Sequence, residues 1–138
     1  MAAYALIGSP DQILLCRIAA PVAPRSRRQW TLPGGGIDFG EPIEHGMMRE
    51  VLEETGLAVE PRDVAFVDDW IYHTPYSSCH NIRIVYWAKV IGGTLRDEVD
   101  GSTDRCKYFR LARAAQIDLV DLAQLGVDAV RSRSSGFH

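Results

Sequence analysis

The sequence contains few cysteines and no long hydrophobic run, and both absences narrow the class of protein. Its three cysteines, Cys16, Cys79 and Cys106, are widely spaced and form no CxxC pair. This usage disfavours a zinc site and is typical of reduced thiols in a cytoplasmic protein. No apolar run approaches the roughly 20 residues of a membrane-spanning helix. We therefore expect no membrane partner.

The chain also lacks an excess of positive charge. Its 15 Lys and Arg residues against 18 Asp and Glu residues give a net charge of −3, which argues against a dedicated nucleic-acid binder. A mildly acidic protein can still hold polyphosphates when a metal ion bridges the like charges. The N-terminal residues have no basic segment before their apolar stretch, so they do not predict a signal peptide.

Length and periodicity predict one domain over residues 1–138 with alternating strands and helices. The chain has 138 residues, of which 46% are hydrophobic, enough for one genuine core. A helix is expected from about Glu41, with Pro42 at its first position, to Gly56, followed later by a helix broken or bent at Gly126 and a fraying tail. Six strands are predicted, at 3–8, 13–18, 30–33, 64–72, 82–91 and 107–111, of which the first two form a hairpin. The second helix is predicted at 117–130, and the tail is 131–138.

The strand at 82–91 alternates in a way that assigns its two faces. Ile84 and Tyr86 are predicted to face one side of the sheet. Arg83, Val85 and Trp87 are predicted to face the other, because successive side chains of a strand point in opposite directions.

The most informative segment is 35–57, GGIDFGEPIEHGMMREVLEETGL. Glu50, Glu53 and Glu54 are three and four residues apart in the predicted helix, so their carboxylates share one face. They repel one another, and they lie near the helix C-terminus, where the macrodipole favours cations. Three carboxylates in such a position predict a bound divalent metal, Mg²⁺ or Mn²⁺, whose shell substrate phosphates would complete.

The same segment resembles the Nudix box, Gx5Ex7REUxEExGU, in which U is aliphatic. The preceding Leu32-Pro33-Gly34 also resembles the usual lead-in. The fixed positions are filled by Gly35, Glu41, Arg49, Glu50, Glu53, Glu54 and Gly56, and the aliphatic positions by Val51 and Leu57.

The resemblance to Nudix (MutT-like) hydrolases implies a fold and a set of roles. The implied fold is α/β (α+β), an α/β/α sandwich around a mixed sheet. Glu50 and Glu54 are the implied metal ligands, with the Gly35 carbonyl as a further ligand. Glu53 is either another ligand or the general base, and Arg49 orients a catalytic carboxylate. For Glu41, helix capping and loop anchoring are favoured over direct metal contact.

The activity implied by the resemblance is Mg²⁺-dependent hydrolysis of a nucleoside diphosphate linked to another moiety X. The substrate is then a small nucleotide, namely a nucleoside triphosphate, ADP-ribose or a nucleotide sugar, and family members often form homodimers. Two alternatives stay open. One is a Nudix-fold module that binds a nucleotide or partner without turnover. The other is an isomerase similar to isopentenyl-diphosphate isomerase, which the intact carboxylates disfavour.

Substrate contacts are predicted outside the box. Arg27 and Arg28, with Arg25, precede the strand at 30–33 and can meet phosphates, although a solvated loop explains them equally well. Trp70 is a candidate for stacking on a base. The residues available for stacking or core packing are Tyr72, Tyr76 and Trp87. One additional acid is expected from among Glu98, Asp100 and Asp104. His73 and His80 are expected to be surface groups beside a hairpin connection.

Overall fold

The computed structural model describes residues 1–19 and 29–135. Arg25, Arg27 and Arg28 lie outside the described residues. The helices within those ranges are α1 (Ile43–Thr55), α2 (Leu111–Ala114) and α3 (Asp121–Ser135). The strands are β1 (Ala2–Leu6), β2 (Gly8–Ser9), β3 (Gln12–Ile18), β4 (Trp30–Thr31), β5 (Gly34–Gly36), β6 (Leu57–His73), β7 (Ser78–Gly93) and β8 (Thr103–Arg110).

Two four-stranded sheets organise these elements. The first has the order β5-β1-β7-β6 and is mixed, because β1 runs parallel to β7 while the other neighbours are antiparallel. In the second sheet, β3 pairs antiparallel with β2, β4 and β8. The expectation of a mixed sheet is confirmed for the first of them.

Two apolar clusters cover opposite sides of the first sheet. Met47 and Val51 of α1 pack with Tyr86 on one side. Val127 of α3 packs with Val85 on the other. This arrangement confirms the α/β/α sandwich and the predicted alternation of β7. None of the helices in the described residues is long and apolar enough to span a bilayer.

The N-terminal hairpin is shorter than predicted. The expected strand at 3–8 is interrupted at Ile7, so that β1 joins the first sheet and β2 joins the second. Only Gly8 and Ser9 pair with β3, opposite Ile13 and Gln12. The chain thereby passes from one sheet to the other within a single apolar run, which period-two alternation alone does not reveal.

The glycines that follow Pro33 form a strand rather than a flexible turn. Gly34, Gly35 and Gly36 lie opposite Tyr4, Ala3 and Ala2. Gly34 has a φ of 142°, and a Cβ there would overlap the Ala3 carbonyl oxygen. Glycine is therefore required for β5 to approach β1 this closely. This strand fixes the backbone that faces α1.

Of the break or bend predicted at Gly126, the break is wrong, because α3 continues through it to Ser135. A Cβ at Gly126 would lie 2.9 Å from a terminal methyl group of both Leu6 and Leu32. The glycine thus permits close packing of an unbroken helix. The expected fraying from Arg131 is also wrong over 131–135, which are helical, and 136–138 lie outside the described residues.

Candidate active site

The helix α1 carries the predicted carboxylates and is anchored by its apolar stripe. Met47 and Val51 are fully buried, while Ile43 and Met48 pack partly against the same cluster. The helix begins one residue later than predicted, because Pro42 occupies the N-cap. It ends as predicted at Gly56, which is left-handed with a φ of 78° and donates its N–H to Leu52 O at 2.9 Å.

A cation from a distant part of the chain stabilises the acidic end of α1. The Arg96 guanidinium lies 3.3 Å from Leu52 O and 3.4 Å from Glu53 O. These are carbonyls of the last helical turn, where the macrodipole favours positive charge. Sequence analysis missed Arg96, because no local pattern links it to a helix more than forty residues earlier.

Glu54 is the most deeply buried carboxylate of the site, with 3% of its surface exposed. One oxygen accepts the Gly34 N–H at 2.9 Å, and the other lies 3.4 Å from the Ser102 hydroxyl. Burial, reinforced by the nearby Glu50 and Glu98 charges, raises the pKa of Glu54 to about 8. No Arg, Lys or His side chain among the described residues forms an ion pair with it.

Glu50 lies against the glycine strand. A Cβ on Gly35 would fall 2.9 Å from Glu50 Oε2, so any other residue there would push this carboxylate out of its observed position. Burial raises the pKa of Glu50, and its hydrogen bond with Arg49 opposes that effect. The structure therefore brings together Glu50, Glu54 and the backbone of Gly35, the three groups predicted as ligands.

Arg49 connects the acidic residues to the loop before α1. Its guanidinium contacts Glu41 at two points, Nε to Oε2 at 2.8 Å and Nη2 to Oε1 at 3.0 Å. These bonds lower the pKa of Glu41 to about 2. Nη1 lies 3.1 Å from Glu50 Oε1 and 3.3 Å from Glu53 Oε1. Glu41 also accepts the Asp38 N–H at 3.1 Å, so it anchors the loop, as expected.

Of the three candidates for an additional acid, Glu98 is the one near the site. Its charge raises the pKa values of both Glu50 and Glu54. One of its oxygens accepts the Thr103 hydroxyl at 3.0 Å. Asp104 instead pairs with Arg17 at 2.8 Å, and Asp100 occupies a turn with a φ of 58°.

The donors present fit a divalent cation in an open site. Glu54 has no cationic partner among the described residues, so its buried carboxyl group is neutral by protonation below its pKa of about 8 unless a positive ion stabilises the charged form. Within that part of the chain, no three His, Cys, Asp or Glu side chains are already arranged to enclose an ion. An open set of two carboxylates and a carbonyl suits Mg²⁺, which keeps waters and substrate oxygens in its shell.

A cavity of about 400 Å³ opens near the start of α3, and Tyr4 is the lining residue that lies close to the carboxylates. Tyr4 connects the cavity with the carboxylate site. It lines the cavity, pairs with Gly34 across β1 and β5, and lies close enough to Glu50 and Glu54 to interact electrostatically with both. Trp70, a predicted substrate contact, also lines the cavity and is 52% exposed. Its ring lies 4.8 Å from that of Tyr72.

Arg83 is a cavity residue that sequence analysis did not single out. Asp68 holds it at two points, 2.9 Å from Nε and 2.7 Å from Nη2. Its guanidinium lies 6.0 Å from the Trp70 ring centre. The sequence feature that could have identified Arg83 is its position on a strand face otherwise formed by Val85 and Trp87. A charged residue on an apolar face is uncommon unless it is paired or has a function.

The other aromatic and histidine candidates lie elsewhere. Trp87 packs against the core on the α3 side. Tyr76 is fully exposed in the connection between β6 and β7. His73 and His80 lie on the surface near that connection, as expected, with His73 Nδ1 2.6 Å from the Ser78 hydroxyl.

Fold and site together define an α+β protein in which a helix presents buried carboxylates to a glycine strand. The chain belongs to the NUDIX domain family, whose profile matches residues 1–127. NUDIX hydrolases generally use divalent metals. The fold is similar to the crystal structure of a MutT NUDIX hydrolase from Burkholderia pseudomallei, with a TM-score of 0.75, 27% identity and coverage of 94% of this chain and 95% of that one.

Two curated relatives are similar over most of this chain. A Mycobacterium tuberculosis protein designated MutT4 is 32% identical over 132 residues, 91% of this chain and 53% of the relative. The mouse protein 8-oxo-dGDP phosphatase NUDT18 is 29% identical over 126 residues, 87% of this chain and 36% of the relative. This chain therefore spans about half or less of the length of these relatives.

Proposed function

We propose that this protein hydrolyses the phosphoric anhydride bond of a nucleoside diphosphate linked to another moiety X, with Mg²⁺ or Mn²⁺ as its ion. The products are a nucleoside monophosphate and phosphorylated X. The observation that carries the proposal is the position of Glu54, a buried carboxylate beside Glu50 that has no cationic partner among the described residues.

The site residues divide into holding and orienting groups. Glu50, Glu54 and the Gly35 carbonyl would hold the divalent cation. When bound, the cation supplies charge neutralisation at phosphate oxygens and a water of lowered pKa. Arg49 orients Glu50 and Glu53 through its guanidinium. Glu53 either joins the ligands or accepts the proton of the attacking water.

The cavity near the start of α3 supports a nucleotide substrate. Its volume of about 400 Å³ lies in the usual range of small-molecule sites, about 300–1,000 Å³. Trp70 offers an exposed ring for a base, and Arg83 offers a guanidinium fixed by Asp68. The name of the mouse relative suggests an oxidised guanine nucleotide as one substrate to test, beside nucleoside triphosphates, ADP-ribose and nucleotide sugars.

The direct test is incubation of the protein with a panel of these nucleotides and Mg²⁺ in ¹⁸O-labelled water. We expect one nucleotide class to release a monophosphate, with a single ¹⁸O atom in one phosphorylated product, and we expect EDTA to stop the reaction. Tight nucleotide binding without product from any member would contradict the hydrolase and support a binding module. Product formation that EDTA leaves unchanged would contradict the ion's role.

Three further properties remain proposals. One domain is supported by β3, which contributes Leu14 to one apolar cluster and Leu15 to the other, so we expect a single cooperative unfolding transition. A cytoplasmic location is supported by the three free thiols.

A homodimer is supported only by the family resemblance, and light scattering of the purified protein tests it.

A further inference from the structure

A second cavity, of about 470 Å³, lies at the far end of α3 from the cavity proposed for the substrate. Its apolar wall is formed by Leu6, Trp87 and Val130. It shares no lining residue with the first cavity. Trp87 and Arg83, one in each cavity, lie on the same face of β7 and are four residues apart, which separates them by about 13 Å.

Three cations surround this apolar wall in a protein whose net charge is −3. Arg62 pairs with Glu60 at 3.0 Å. Lys89 and Arg133 form no ion pair with another described residue, and the Arg133 guanidinium lies 4.2 Å from the centre of the Trp87 ring. No acidic side chain among the described residues lines the cavity. Glu60, which faces Lys89 across the strand pair, offsets part of the charge at the rim.

Two cations that form no ion pair with a described residue, next to an apolar wall, have the chemistry of a site for an organic anion. The cations attract a phosphate group and hydrogen-bond to it. The aliphatic side chains of Leu6 and Val130, with the part of the Trp87 ring that Arg133 does not cover, provide apolar surface for a flat ring system. A volume of about 470 Å³ also falls within the usual range of ligand cavities, about 300–1,000 Å³.

We propose that this cavity is a second ligand site, which binds a nucleoside monophosphate with its phosphate at Lys89 and Arg133 and its base along the apolar wall. The site does not depend on the proposed hydrolysis, because it lies at the other end of α3 and shares no lining residue with the cavity proposed for the substrate.

The experiment titrates the full chain with AMP in the presence of EDTA, which prevents ion-mediated phosphate binding at the carboxylates. The chain has three tryptophans, so ¹⁵N-tryptophan labelling gives three indole N–H signals, assigned by single Trp→Phe variants. We expect saturable movement of the Trp87 signal. Lys89→Glu should weaken AMP binding at that signal by about tenfold or more, since an attraction becomes a repulsion.

Lys107→Glu is the matched control, because it changes the net charge equally at an exposed site on β8. It should leave the AMP affinity at Trp87 unchanged. Arg133→Glu provides a second variant in case Lys89→Glu fails to fold. A Trp87 signal that does not move at millimolar AMP, or equal affinities in the Lys89 and Lys107 variants, would overturn the site. Inorganic phosphate binding as tightly as AMP would overturn its assignment to a nucleotide.

Discussion

The backbone of Gly35 and the carboxylate of Glu50 are in direct contact across the gap between β5 and α1. A Cβ built on Gly35 would lie 2.9 Å from Glu50 Oε2 and 3.0 Å from its carboxyl carbon. The next residue, Gly36, has nothing within 4 Å of its Cβ position. Two adjacent glycines of one strand therefore differ sharply in the space available to them.

Gly35→Ala should reduce activity while Gly36→Ala should not. The added methyl group would force the Glu50 carboxylate away from its observed position next to Gly35. A displacement of about 1 Å in a catalytic group costs on the order of 10²-fold in rate. We expect kcat/KM to fall by about that factor, with a raised Mg²⁺ requirement. Equal activities of the two variants would show that the Gly35–Glu50 contact is not used.

Arg49→Lys should lower the rate of a folded protein. An ammonium group cannot reproduce the two-point contact with Glu41 and reach Glu50 and Glu53 as well. Loss of an orienting contact of this kind costs about 10–100-fold in activity or metal affinity. Arg113→Lys, on the exposed surface of α2, is the control for the same chemical change. Wild-type kinetic constants in the Arg49 variant would show that Arg49 does not orient the catalytic carboxylates.

Much of the fold followed from local patterns. Helix α1 was predicted within one residue at its start because Pro42 and Gly56 mark its ends. The alternation of β7 identified both of its faces. The interruption at Ile7 was missed, since one apolar run serves two sheets. The continuity of α3 at Gly126 was missed too, because the two leucines that need a glycine there come from distant segments.

The carboxylates of the site were predictable from the sequence, but the residues that contact them from other segments were not. The spacing of Glu50 and Glu54 placed them on one face, and the structure adds the partners that only tertiary folding brings. Arg96, Ser102 and Glu98 reach the site from a loop more than forty residues after α1. The positions of Glu98, Asp100 and Asp104 in the sequence gave no reason to prefer Glu98 as the additional acid.

Trp70→Ala should weaken substrate binding more than it slows the chemical step. Trp70 lines the cavity, where its ring lies next to Tyr72 and Arg83. Loss of stacking on a base costs about 1–3 kcal/mol, so we expect KM to rise about tenfold or more with kcat nearly unchanged. Tyr76→Ala, at the exposed end of the same hairpin, should change neither constant. Equal effects of the two substitutions would remove Trp70 from the substrate contacts.

Glu54→Gln should nearly abolish hydrolysis without unfolding the protein. The amide keeps an acceptor for the Gly34 N–H but loses the charge that a divalent ion requires. We expect a loss of about 10²–10⁴-fold in kcat and an unfolding midpoint in EDTA no lower than that of the wild type, because the amide, like the protonated Glu54 that burial favours, places no charge in the core. Glu44→Gln, an exposed change in the first turn of α1, is the control and should be fully active.

Glu53→Gln distinguishes the two roles left open for Glu53. If Glu53 accepts the proton, kcat should fall by about 10²–10⁴-fold with an unchanged Mg²⁺ requirement. If it is a ligand, raising the Mg²⁺ concentration should restore part of the rate. Wild-type activity in both the Glu53 and the Glu54 variants would show that the assignment of roles is wrong.

Gly56→Ala should be the most destabilising of the glycine substitutions proposed here. Gly56 has a φ of 78°, and a Cβ there would overlap the Thr94 carbonyl oxygen, a backbone atom that cannot rotate away. Gly40, with a φ of 84° and nothing within 4 Å, shares the strained backbone without the overlap. Left-handed backbone alone costs an alanine about 1–2 kcal/mol, so Gly40→Ala should lose about that much free energy of unfolding. Gly56→Ala should lose clearly more, because α1 must also move away from the segment that follows β7. Urea denaturation of both variants measures the difference, and equal losses would show that the close approach at the end of α1 relaxes without cost.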